Sequence, residues 1–376
     1  MKTASVFDRL TVTVAALLIA TFALALPILP KRDFSVKERR ALAPFPKVRA
    51  ETVLDGSFFQ SLSTFYHDHF PLREHFTALK AEAELILGKG ENNGMLFGKS
   101  DYLIARGEYD DLSVGMHNLE AIRTLAERIR LPVTVSVLPR AVDVLTAYLP
   151  PDYDTTRTSE IISLIDGALP QNTDLTPALR EAAMDGKPMF YRTDHHWTTE
   201  GAYLAYVHLA PSLGIEPYDI ASFTPVTATE AFLGSSFARA GISHTRPDTI
   251  MLYRYEKDSR YTVINGETGE RVHTLYDMAS LSGDDPYEVF LGGNYARLSV
   301  TDDAHPEKPT LLLFKDSFAN ALVPFLARHF QLSLVDPRYE QQGASVICEE
   351  VHADRVLILF GADTVATTPT LTRLGR

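Results

Sequence analysis

The stretch Pro309–Leu326, "PTLLLFKDSFANALVPFL", joins a strand to a helix through a short polar turn. Its first part is an almost unbroken apolar run, which is typical of a strand covered on both faces of a parallel sheet. Its second part is apolar at helical spacing. Ser317 falls at the junction, directly after the strand and at the start of the helix. In α/β sheets this is the edge at which ligands bind and catalytic side chains gather.

The same alternation of strand and helix continues on both sides of this stretch. "LSLV", "GASVICEEV" and "DRVLILFG" follow it as strand, helix and strand, and "PVTVSVL" is a β-branched strand far upstream. Strands separated by helices of this length predict βαβ units and a mostly parallel sheet. A small antiparallel insertion is predicted in "YTVINGETGERVHTLY", with its turn at Gly266–Gly269. The expected fold is an α/β protein, a three-layer α/β/α sandwich.

A second polar cluster lies in Phe190–Tyr203, "FYRTDHHWTTEGAY", between a short strand and a helix. A carboxylate beside an imidazole suits a general base, because the carboxylate fixes the tautomer and supports the imidazolium. In an extended segment, residues two apart point the same way. Asp194 and His196 are therefore predicted to share one side, with His195 facing the other. His196 is then placed to deprotonate Ser317, with Asp194 orienting it.

Structural alternatives exist for each of these polar residues. Ser317 could be a helix N-cap, which is a common role for serine. Thr198 or Thr199 is predicted to cap the helix that follows the Asp-His-His cluster. That cluster could also bind a metal ion, but adjacent histidines rarely converge on one ion from an extended chain. We predict no metal and no cofactor.

Four further residues compete for roles at this site. Trp197, the only tryptophan, could stack on a sugar ring, although packing is the commoner role of a large aromatic side chain. Arg192 is a candidate for binding a sugar or an anionic substrate, although single basic residues are usually solvated. Ser235 and Ser236 are alternative nucleophiles, but they follow no evident strand. Ser317 is the preferred nucleophile.

Composition excludes several classes of protein. The 376 residues, 45% of them hydrophobic, suffice for one large core or two modest ones. A formal net charge of −12 is the opposite of the basic surface that a nucleic-acid-binding protein presents. The single cysteine, Cys348, excludes an internal disulfide framework and a zinc site built from several cysteines.

The N-terminus carries an uncharged run, Leu10–Pro30, with basic residues on both sides. Roughly 20 apolar residues span a bilayer, whereas the apolar core of a signal peptide runs about 7–15. Ala23–Ala25 offers a cleavage site, so removal of the segment is the alternative. We predict a single-pass transmembrane anchor with the folded domain outside the cytoplasm, extracellular or periplasmic. The expected organisation is an anchor or signal peptide over 1–32, a linker with amphipathic helices over 33–90, and the main domain over 91–376.

The order of motifs resembles that of the DHHW proteins, a bacterial group related to the SGNH hydrolase-like domain of the alginate O-acetyltransferases AlgX and AlgJ. The resemblance implies an SGNH hydrolase-like fold with permuted motif order, since the acid and base precede the serine. The Asp-x-His motif of the acetyltransferases falls on Asp194 and His196, and their serine falls on Ser317. The segments that carry the resemblance are "ERRALAPFP", "FYHDHFPLRE", "NGMLFGKSDYLI", "FYRTDHHWTTEGAYLAY", "FLGSSFARAG", "DTIMLY", "FLGGNY" and "LLLFKDSFANALVPFL".

The resemblance also implies a function. We expect an exported, membrane-anchored serine acyltransferase that O-acetylates a cell-surface or secreted polysaccharide. Its acyl donor would be supplied by a membrane-embedded acyl carrier protein. The oxyanion glycine and asparagine of the relatives would fall on Gly292, Gly293 and Asn294, for which a plain turn is the structural alternative.

Two other functions stay open at this stage. The chain has "KDSF" where SGNH hydrolases carry Gly-Asp-Ser, which sets it apart from the usual hydrolase signature. The alternatives to a transferase are an esterase with water as acceptor and a catalytically silent carbohydrate-binding or scaffold protein.

Overall fold

The computed structural model of the protein describes residues 6–35, 40–156, 159–255 and 259–376. Its strands are β1 (Phe34–Ser35), β2 (Arg40–Ala41), β3 (Glu91–Asn92), β4 (Met95–Phe97), β5 (Leu103–Ala105), β6 (Val133–Leu138), β7 (Thr224–Phe232), β8 (Asp248–Arg254), β9 (Tyr261–Asn265), β10 (Arg271–Val272), β11 (Arg297–Asp302), β12 (Thr310–Lys315), β13 (Gln331–Val335) and β14 (Arg355–Gly361). Its α-helices are α1 (Val6–Ile28), α2 (Ala50–Leu54), α3 (Ser57–Asp68), α4 (Arg73–Ile86), α5 (Ser113–Arg128), α6 (Ala141–Val144), α7 (Ser159–Ala168), α8 (Thr176–Met184), α9 (Thr199–Leu213), α10 (Ser235–Ala240), α11 (Val323–Leu326), α12 (Ala344–Glu350) and α13 (Ala362–Thr367). Short 3-10 helices cover Lys99–Asp101, Thr146–Tyr148, Ile220–Ser222, Met278–Ser282, Pro286–Val289, Ser317–Ala321 and Pro369–Gly375.

The chain divides into two compact units. The smaller consists of Met1–Lys89 and Ala238–His244, and the larger of Gly90–Phe237 and Thr245–Arg376. Within the smaller unit, the ring of Phe22 on α1 packs against those of Phe70 and Phe76, with centroids 5.1 and 5.8 Å apart. Every residue of the candidate site lies in the larger unit.

Helix α1 includes most of the apolar run for which the sequence predicts a transmembrane segment. It also includes Arg9, so it begins before the uncharged stretch. Within the four ranges that the structure describes, no helix is both long and apolar enough to cross a membrane. The predicted transmembrane helix is therefore not supported.

A seven-stranded sheet, in the order β10-β9-β11-β13-β12-β14-β6, forms the centre of the larger unit. Strands β13, β12, β14 and β6 pair in parallel. The other neighbouring pairs, β10 with β9, β9 with β11 and β11 with β13, are antiparallel. The prediction of a mostly parallel sheet is therefore wrong, because the sheet is mixed. The predicted hairpin does form, as β9 and β10, but β11 links it to the parallel strands and so extends the sheet.

Strand β12 shows why both faces of this sheet are covered. Successive side chains of a strand point to opposite faces. Leu311 and Leu313 accordingly join an apolar cluster that includes residues of α8, α9 and α11. Leu312 and Phe314 join a second cluster with residues of α5, α7, α12 and α13. The sheet is thus the middle layer of an α/β/α arrangement, and the parallel strands end at the edge where Ser317 lies.

Candidate active site

Ser317 is held in a tight turn between β12 and the 3-10 helix Ser317–Ala321. The N-cap of that helix is Asp316, whose Oδ1 accepts a hydrogen bond from the Phe318 N–H at 3.0 Å. Its Oδ2 accepts from the Gly361 N–H at 2.8 Å, which ties the turn to the end of β14. Ser317 is therefore the first residue of the helix and not its cap. Asp316 takes the capping role, which aspartate fills as well as serine does.

Asp194 and His196 meet through a bend of the chain. Phe190 and Trp197 form an isolated antiparallel bridge, and residues 192–196 bend between them. Oδ1 of Asp194 accepts hydrogen bonds from the backbone N–H of His196 at 3.0 Å and from its Nδ1 at 2.6 Å. Aspartate commonly closes turns through a backbone N–H two residues ahead. The predicted pairing of Asp194 with His196 is thus present, but it results from this turn and not from an extended segment.

His196 and Ser317 lie within hydrogen-bond distance. The Nε2 atom of His196 is 2.8 Å from Oγ of Ser317. Since Asp194 holds the Nδ1–H of the imidazole, Nε2 is left as an acceptor for the serine hydroxyl proton. Asp194 and His196 are nearly fully buried, at 2% and 4% exposure, and Ser317 is 9% exposed. The structure therefore joins acid, imidazole and hydroxyl in one chain of hydrogen bonds.

The protonation state of the acid suits this arrangement. Burial alone would raise the pKa of Asp194, but its electrostatic interaction with the imidazoles of His195 and His196 and the hydrogen bonds from His196 outweigh it and hold that pKa well below its usual value. Asp194 is therefore ionised at neutral pH and can only accept hydrogen bonds.

Tyr287, which the sequence analysis did not identify, lies directly against the imidazole. Its ring stacks on that of His196 with centroids 3.8 Å apart. Burial raises the pKa of Tyr287 well above its usual value, so the phenol stays neutral. Tyr287 belongs to the 3-10 helix Pro286–Val289, in a segment without a recognisable motif, and no sequence signal places it beside His196.

His195 does not face away from the pair as predicted. Its ring lies beside that of His196, with centroids 3.8 Å apart, because the segment bends. Its Nδ1 is 2.6 Å from Oγ of Ser235, and that hydroxyl lies 2.8 Å from Oδ2 of Asp194. Ser235 begins helix α10, which the sequence analysis did not recognise. Although 43% of the His195 side chain is exposed, desolvation and the neighbouring imidazole of His196 lower its pKa to about 4.

Trp197 and Arg192 do not have the environment of substrate-binding residues. Trp197 has no exposed surface, and its Nε1–H donates to the carbonyl oxygen of Phe318 at 2.9 Å. Of the two roles considered for Trp197, this burial excludes stacking on a sugar and leaves packing. The guanidinium of Arg192 donates to the carbonyl of Pro247 at 2.8 Å and lies 3.4 Å from Asp248. Arg192 thus stabilises the loop that carries the Asp-His-His cluster. The predicted cap of the following helix is confirmed as Thr198, whose hydroxyl accepts from the Gly201 N–H.

The predicted oxyanion segment contacts the Ser317 helix through Asn320. The Nδ2 of Asn320 donates to Gly293 O and to Asn294 Oδ1, both at 3.3 Å. The N–H of Gly292 donates to the carbonyl oxygen of Glu288 at 2.9 Å. This N–H is therefore already used in a local hydrogen bond and is not available to an oxyanion. Of the three predicted residues, Gly293 and Asn294 are thus connected to the helix that begins at Ser317.

One set of ligand atoms from Asp194, His195 and His196 lies within 4.8 Å of one another, a spacing that a metal ion could bridge. Two of these groups are already engaged, since His196 Nδ1 bonds Asp194 and His195 Nδ1 bonds Ser235. A metal ion coordinated by these nitrogens would have to displace both hydrogen bonds. The geometry favours acid–base chemistry.

Two family models match the chain. A model of the DHHW protein family matches residues 181–335, and a model of the SGNH hydrolase-like domain of acetyltransferase AlgX matches residues 117–232. Both ranges contain Asp194 and His196, and the first also contains Ser317. Each model covers less than half of the chain.

Known proteins with similar sequences or structures agree with these models. The chain is 25% identical over 173 residues to the probable alginate O-acetylase AlgJ of Pseudomonas fluorescens, covering 43% of this chain and 44% of AlgJ. The chain thus spans less than half the length of the curated relatives that it matches. A DHHW family protein from Eubacterium siraeum has a similar structure, with a TM-score of 0.63, 23% identity, and coverage of 75% of this chain and 95% of that one. PatB1 of Bacillus cereus, in a structure with a sulfonyl adduct, gives a TM-score of 0.60, 17% identity, and coverage of 75% and 98%. The chain has the fold of these structures, and its predicted resemblance to the DHHW proteins and to the SGNH hydrolase-like domain of AlgX and AlgJ is confirmed.

Proposed function

We propose that the protein is a serine O-acetyltransferase that acetylates hydroxyl groups of a polysaccharide outside the cytoplasm. The observation that carries the proposal is the chain of hydrogen bonds from Ser317 through His196 to Asp194. A hydroxyl, an imidazole and a carboxylate in this order form the arrangement that activates serine for acyl transfer.

The proposed reaction has two halves. In the first, His196 Nε2 takes the hydroxyl proton as Ser317 Oγ attacks the carbonyl carbon of the donor ester. The bond from that carbon to the donor oxygen breaks, His196 returns the proton to the leaving oxygen, and an acetyl ester remains on Ser317. In the second half, His196 removes the proton from a sugar hydroxyl, which attacks the acetyl carbon. Ser317 leaves with the proton, and the sugar carries the acetyl group.

Several features support this assignment over other serine chemistry. Asp194 is ionised and can support the imidazolium that forms in each half-reaction. Asn294 is the proposed oxyanion residue, and its Oδ1 accepts from Asn320 on the helix that begins at Ser317. The similarity to a protein named as a probable alginate O-acetylase favours acetyl as the transferred group and a polysaccharide as the acceptor. A membrane-embedded acyl carrier protein is the proposed source of the acetyl group.

Export is part of the proposal and rests on the sequence alone. The uncharged run Leu10–Pro30, with basic residues before and after it, has the character of an export signal. A polysaccharide destined for the cell surface would then be met by the domain on the outer side of the membrane.

The experiment that tests the proposal uses an aryl acetate, whose leaving group needs no help from a general acid. The wild-type protein is expected to release the phenol and to carry an acetyl group on the peptide that contains Ser317, as detected by mass spectrometry. Ser317→Ala and His196→Ala should each abolish the reaction, because members of such a triad act as a unit. Ser299→Ala, at an exposed position on β11, is the matched control and should behave as wild type.

Added oligosaccharides separate transfer from hydrolysis. If the protein is a transferase, acetyl groups should appear on the sugar faster than free acetate appears. Hydrolysis that no sugar acceptor alters would identify an esterase. A folded wild-type protein as inert as Ser317→Ala toward a range of acyl donors would instead support a scaffold role.

A further inference from the structure

Asp194 is bound on both of its carboxylate oxygens. While Oδ1 serves His196, Oδ2 accepts from the backbone N–H of Ser235 at 2.7 Å and from its hydroxyl at 2.8 Å. A carboxylate held only through Oδ1 could rotate about its bond to Cβ. The two hydrogen bonds to Oδ2 fix its plane, and with it the direction in which Oδ1 faces the imidazole.

Gly234 allows this close approach. A Cβ at position 234 would lie 2.2 Å from Cβ of Asp194 and 2.4 Å from its Oδ2, closer than any real side chain tolerates. The Gly234 N–H donates to Thr193 Oγ1 at 3.1 Å. That hydroxyl in turn donates to Asp248 Oδ2 at 2.7 Å. The segment at Gly234 is therefore anchored to the same loop that carries Asp194. The carboxylate of Asp194 occupies the position that a side chain at residue 234 would need.

His195 determines where the Ser235 hydroxyl points. Asp194 is ionised and can only accept, so the single hydroxyl proton of Ser235 goes to Oδ2. Oγ of Ser235 is then free to accept from the Nδ1–H of His195, which lies 2.6 Å away. The lowered pKa of His195 keeps the ring neutral at pH 7. Because Oγ of Ser235 accepts at Nδ1, the single ring proton lies on Nδ1 and Nε2 is unprotonated. The hydrogen bonds thus run from His195 through Ser235 to Asp194.

We propose that Ser235 and His195 are positioning residues, which hold Asp194 toward His196 and thereby tune the base that activates Ser317. This inference rests on the proposed function. We call Gly234, Ser235 and His195 the carboxylate clamp. Ser235 is not itself placed as a nucleophile, because its hydroxyl proton is directed at a carboxylate and its Oγ accepts from His195. From the sequence, Ser235 is only an alternative nucleophile to Ser317, and the proposed positioning role is a different one.

Paired substitutions in the full chain test the clamp with an aryl acetate as substrate. Ser235→Ala removes the hydroxyl, and Ser235→Thr keeps it. His195→Ala removes the Nδ1–H, and His195→Asn replaces it with an amide N–H in a similar place. Hydrogen bonds to charged groups contribute about 1.5–3 kcal/mol, so Ser235→Ala is expected to lower kcat by about 10- to 100-fold. KM should stay unchanged, since we place neither residue against the substrate. Ser235→Thr and His195→Asn should recover most of the loss.

The pH profile separates positioning from a merely structural role. A carboxylate that is no longer aimed at the imidazole supports its protonated form less well, so the acid limb of kcat should move to lower pH in Ser235→Ala. A structural role would reduce the amount of folded enzyme and scale the whole profile without moving this limb. The fraction folded is measured in parallel by circular dichroism and thermal unfolding.

A second readout does not depend on turnover. The Nδ1 proton of His196, hydrogen-bonded to Asp194, should give a downfield proton resonance in the wild-type protein. Ser235→Ala should shift or broaden this resonance, and Ser235→Thr should restore it. An unchanged resonance, together with wild-type kcat and an unmoved acid limb in Ser235→Ala, would overturn the clamp. If wild type lacks acyltransfer activity but the resonance responds as expected, the proposed function fails while the clamp stands as a structural device. Acetyl groups found on Ser235 in place of Ser317 would overturn both assignments.

Discussion

The phenol ring of Tyr287 lies flat against the imidazole of His196, with ring centroids 3.8 Å apart and the planes within 5° of each other. The hydroxyl of the same tyrosine donates to the carbonyl oxygen of Ser317 at 3.4 Å. One side chain therefore contacts both the imidazole of His196 and the backbone of Ser317. The stack restricts the plane of the imidazole, while Asp194 restricts its rotation within that plane.

Replacing Tyr287 should separate these two contacts. Tyr287→Phe keeps the stack and loses only a long hydrogen bond, so we expect kcat to stay within about threefold of wild type. Tyr287→Ala removes a buried ring, and should lower the free energy of unfolding by about 3–5 kcal/mol. Its kcat, corrected for the folded fraction by denaturant titration, should fall at least about tenfold because the imidazole gains freedom. Equal activity per folded molecule in both variants would mean that the stack does not orient the base.

A methyl group at position 234 should displace the carboxylate of Asp194. Gly234→Ala places Cβ against Asp194. We therefore expect the rate of phenol release from an aryl acetate to drop by at least about a hundredfold and stability to fall, as for other overpacked sites. Gly167→Ala is the matched control, because this helical glycine on α7 has no neighbouring atom within 4 Å of the added Cβ. It should keep full activity and gain about 0.5–1 kcal/mol of stability. The comparison requires aryl acetate rates and urea unfolding curves. Full activity in Gly234→Ala would show that Asp194 can move without consequence.

The burial of Trp197 predicts a loss of stability and not of sugar affinity. Trp197→Phe leaves the Phe318 carbonyl without its donor, which should lower the free energy of unfolding by about 1–3 kcal/mol. KM for an oligosaccharide acceptor should not change. An increase in that KM for Trp197→Phe at unchanged stability would mean that Trp197 contacts the substrate.

Lys315 should make stability depend on pH between 8 and 10.5. Burial lowers the pKa of this side chain from 10.5 to about 8, with the charges of Asp336, Arg338 and Asp316 acting as smaller influences. Between these two values the unfolded chain holds a proton that the folded chain has released, so the free energy of unfolding rises with pH. The full change is about 3 kcal/mol, at 1.36 kcal/mol for each pKa unit.

Lys315→Met isolates this contribution, because all other titrating groups are shared with wild type. The difference in unfolding free energy between the two proteins, followed by urea titration, should move in favour of wild type as pH rises from 8 to 10. A difference that is constant over this range would contradict the lowered pKa of the buried Lys315 amine. Below pH 8 the difference should level off, since the lysine is then charged in both states.

Export can be tested by topology. Protease added outside cells, with any outer membrane or wall made permeable, should digest a C-terminally tagged chain while a cytoplasmic marker stays intact. Complete protection of the tagged domain, released only on lysis, would place the domain inside and end the proposal of an extracytoplasmic polysaccharide substrate.

Asp194, His196 and Ser317 could be predicted from the sequence to lie together, but the groups that hold them could not. Ser317 could be predicted because an apolar run before a helix identifies the edge of an α/β sheet. Asp194 and His196 could be paired because they lie two residues apart, even though a turn and not an extended strand brings them together. Tyr287 and Ser235 could not be found in this way, since each reaches the site through contacts with residues far away in the chain. Strand β11, which was not predicted from the sequence, is antiparallel to both of its neighbours. Its direction depends on the connections to neighbouring strands and not on the apolar pattern of the strand itself.

The pairing of β6 with β14 bears on how the protein is made. Val133 on β6 pairs with Val356 on β14. Strand β6 therefore cannot form this pairing until the ribosome has synthesised β14, near the end of the chain. Contacts between such distant residues form slowly, because the entropy of closing the loop is lost before the pairing can compensate. The same late strand brings the Gly361 N–H that Asp316 needs to fix the serine turn. A nascent chain that lacks β14 would therefore carry Asp194 and His196 but neither a continuous sheet nor a fixed turn at Ser317.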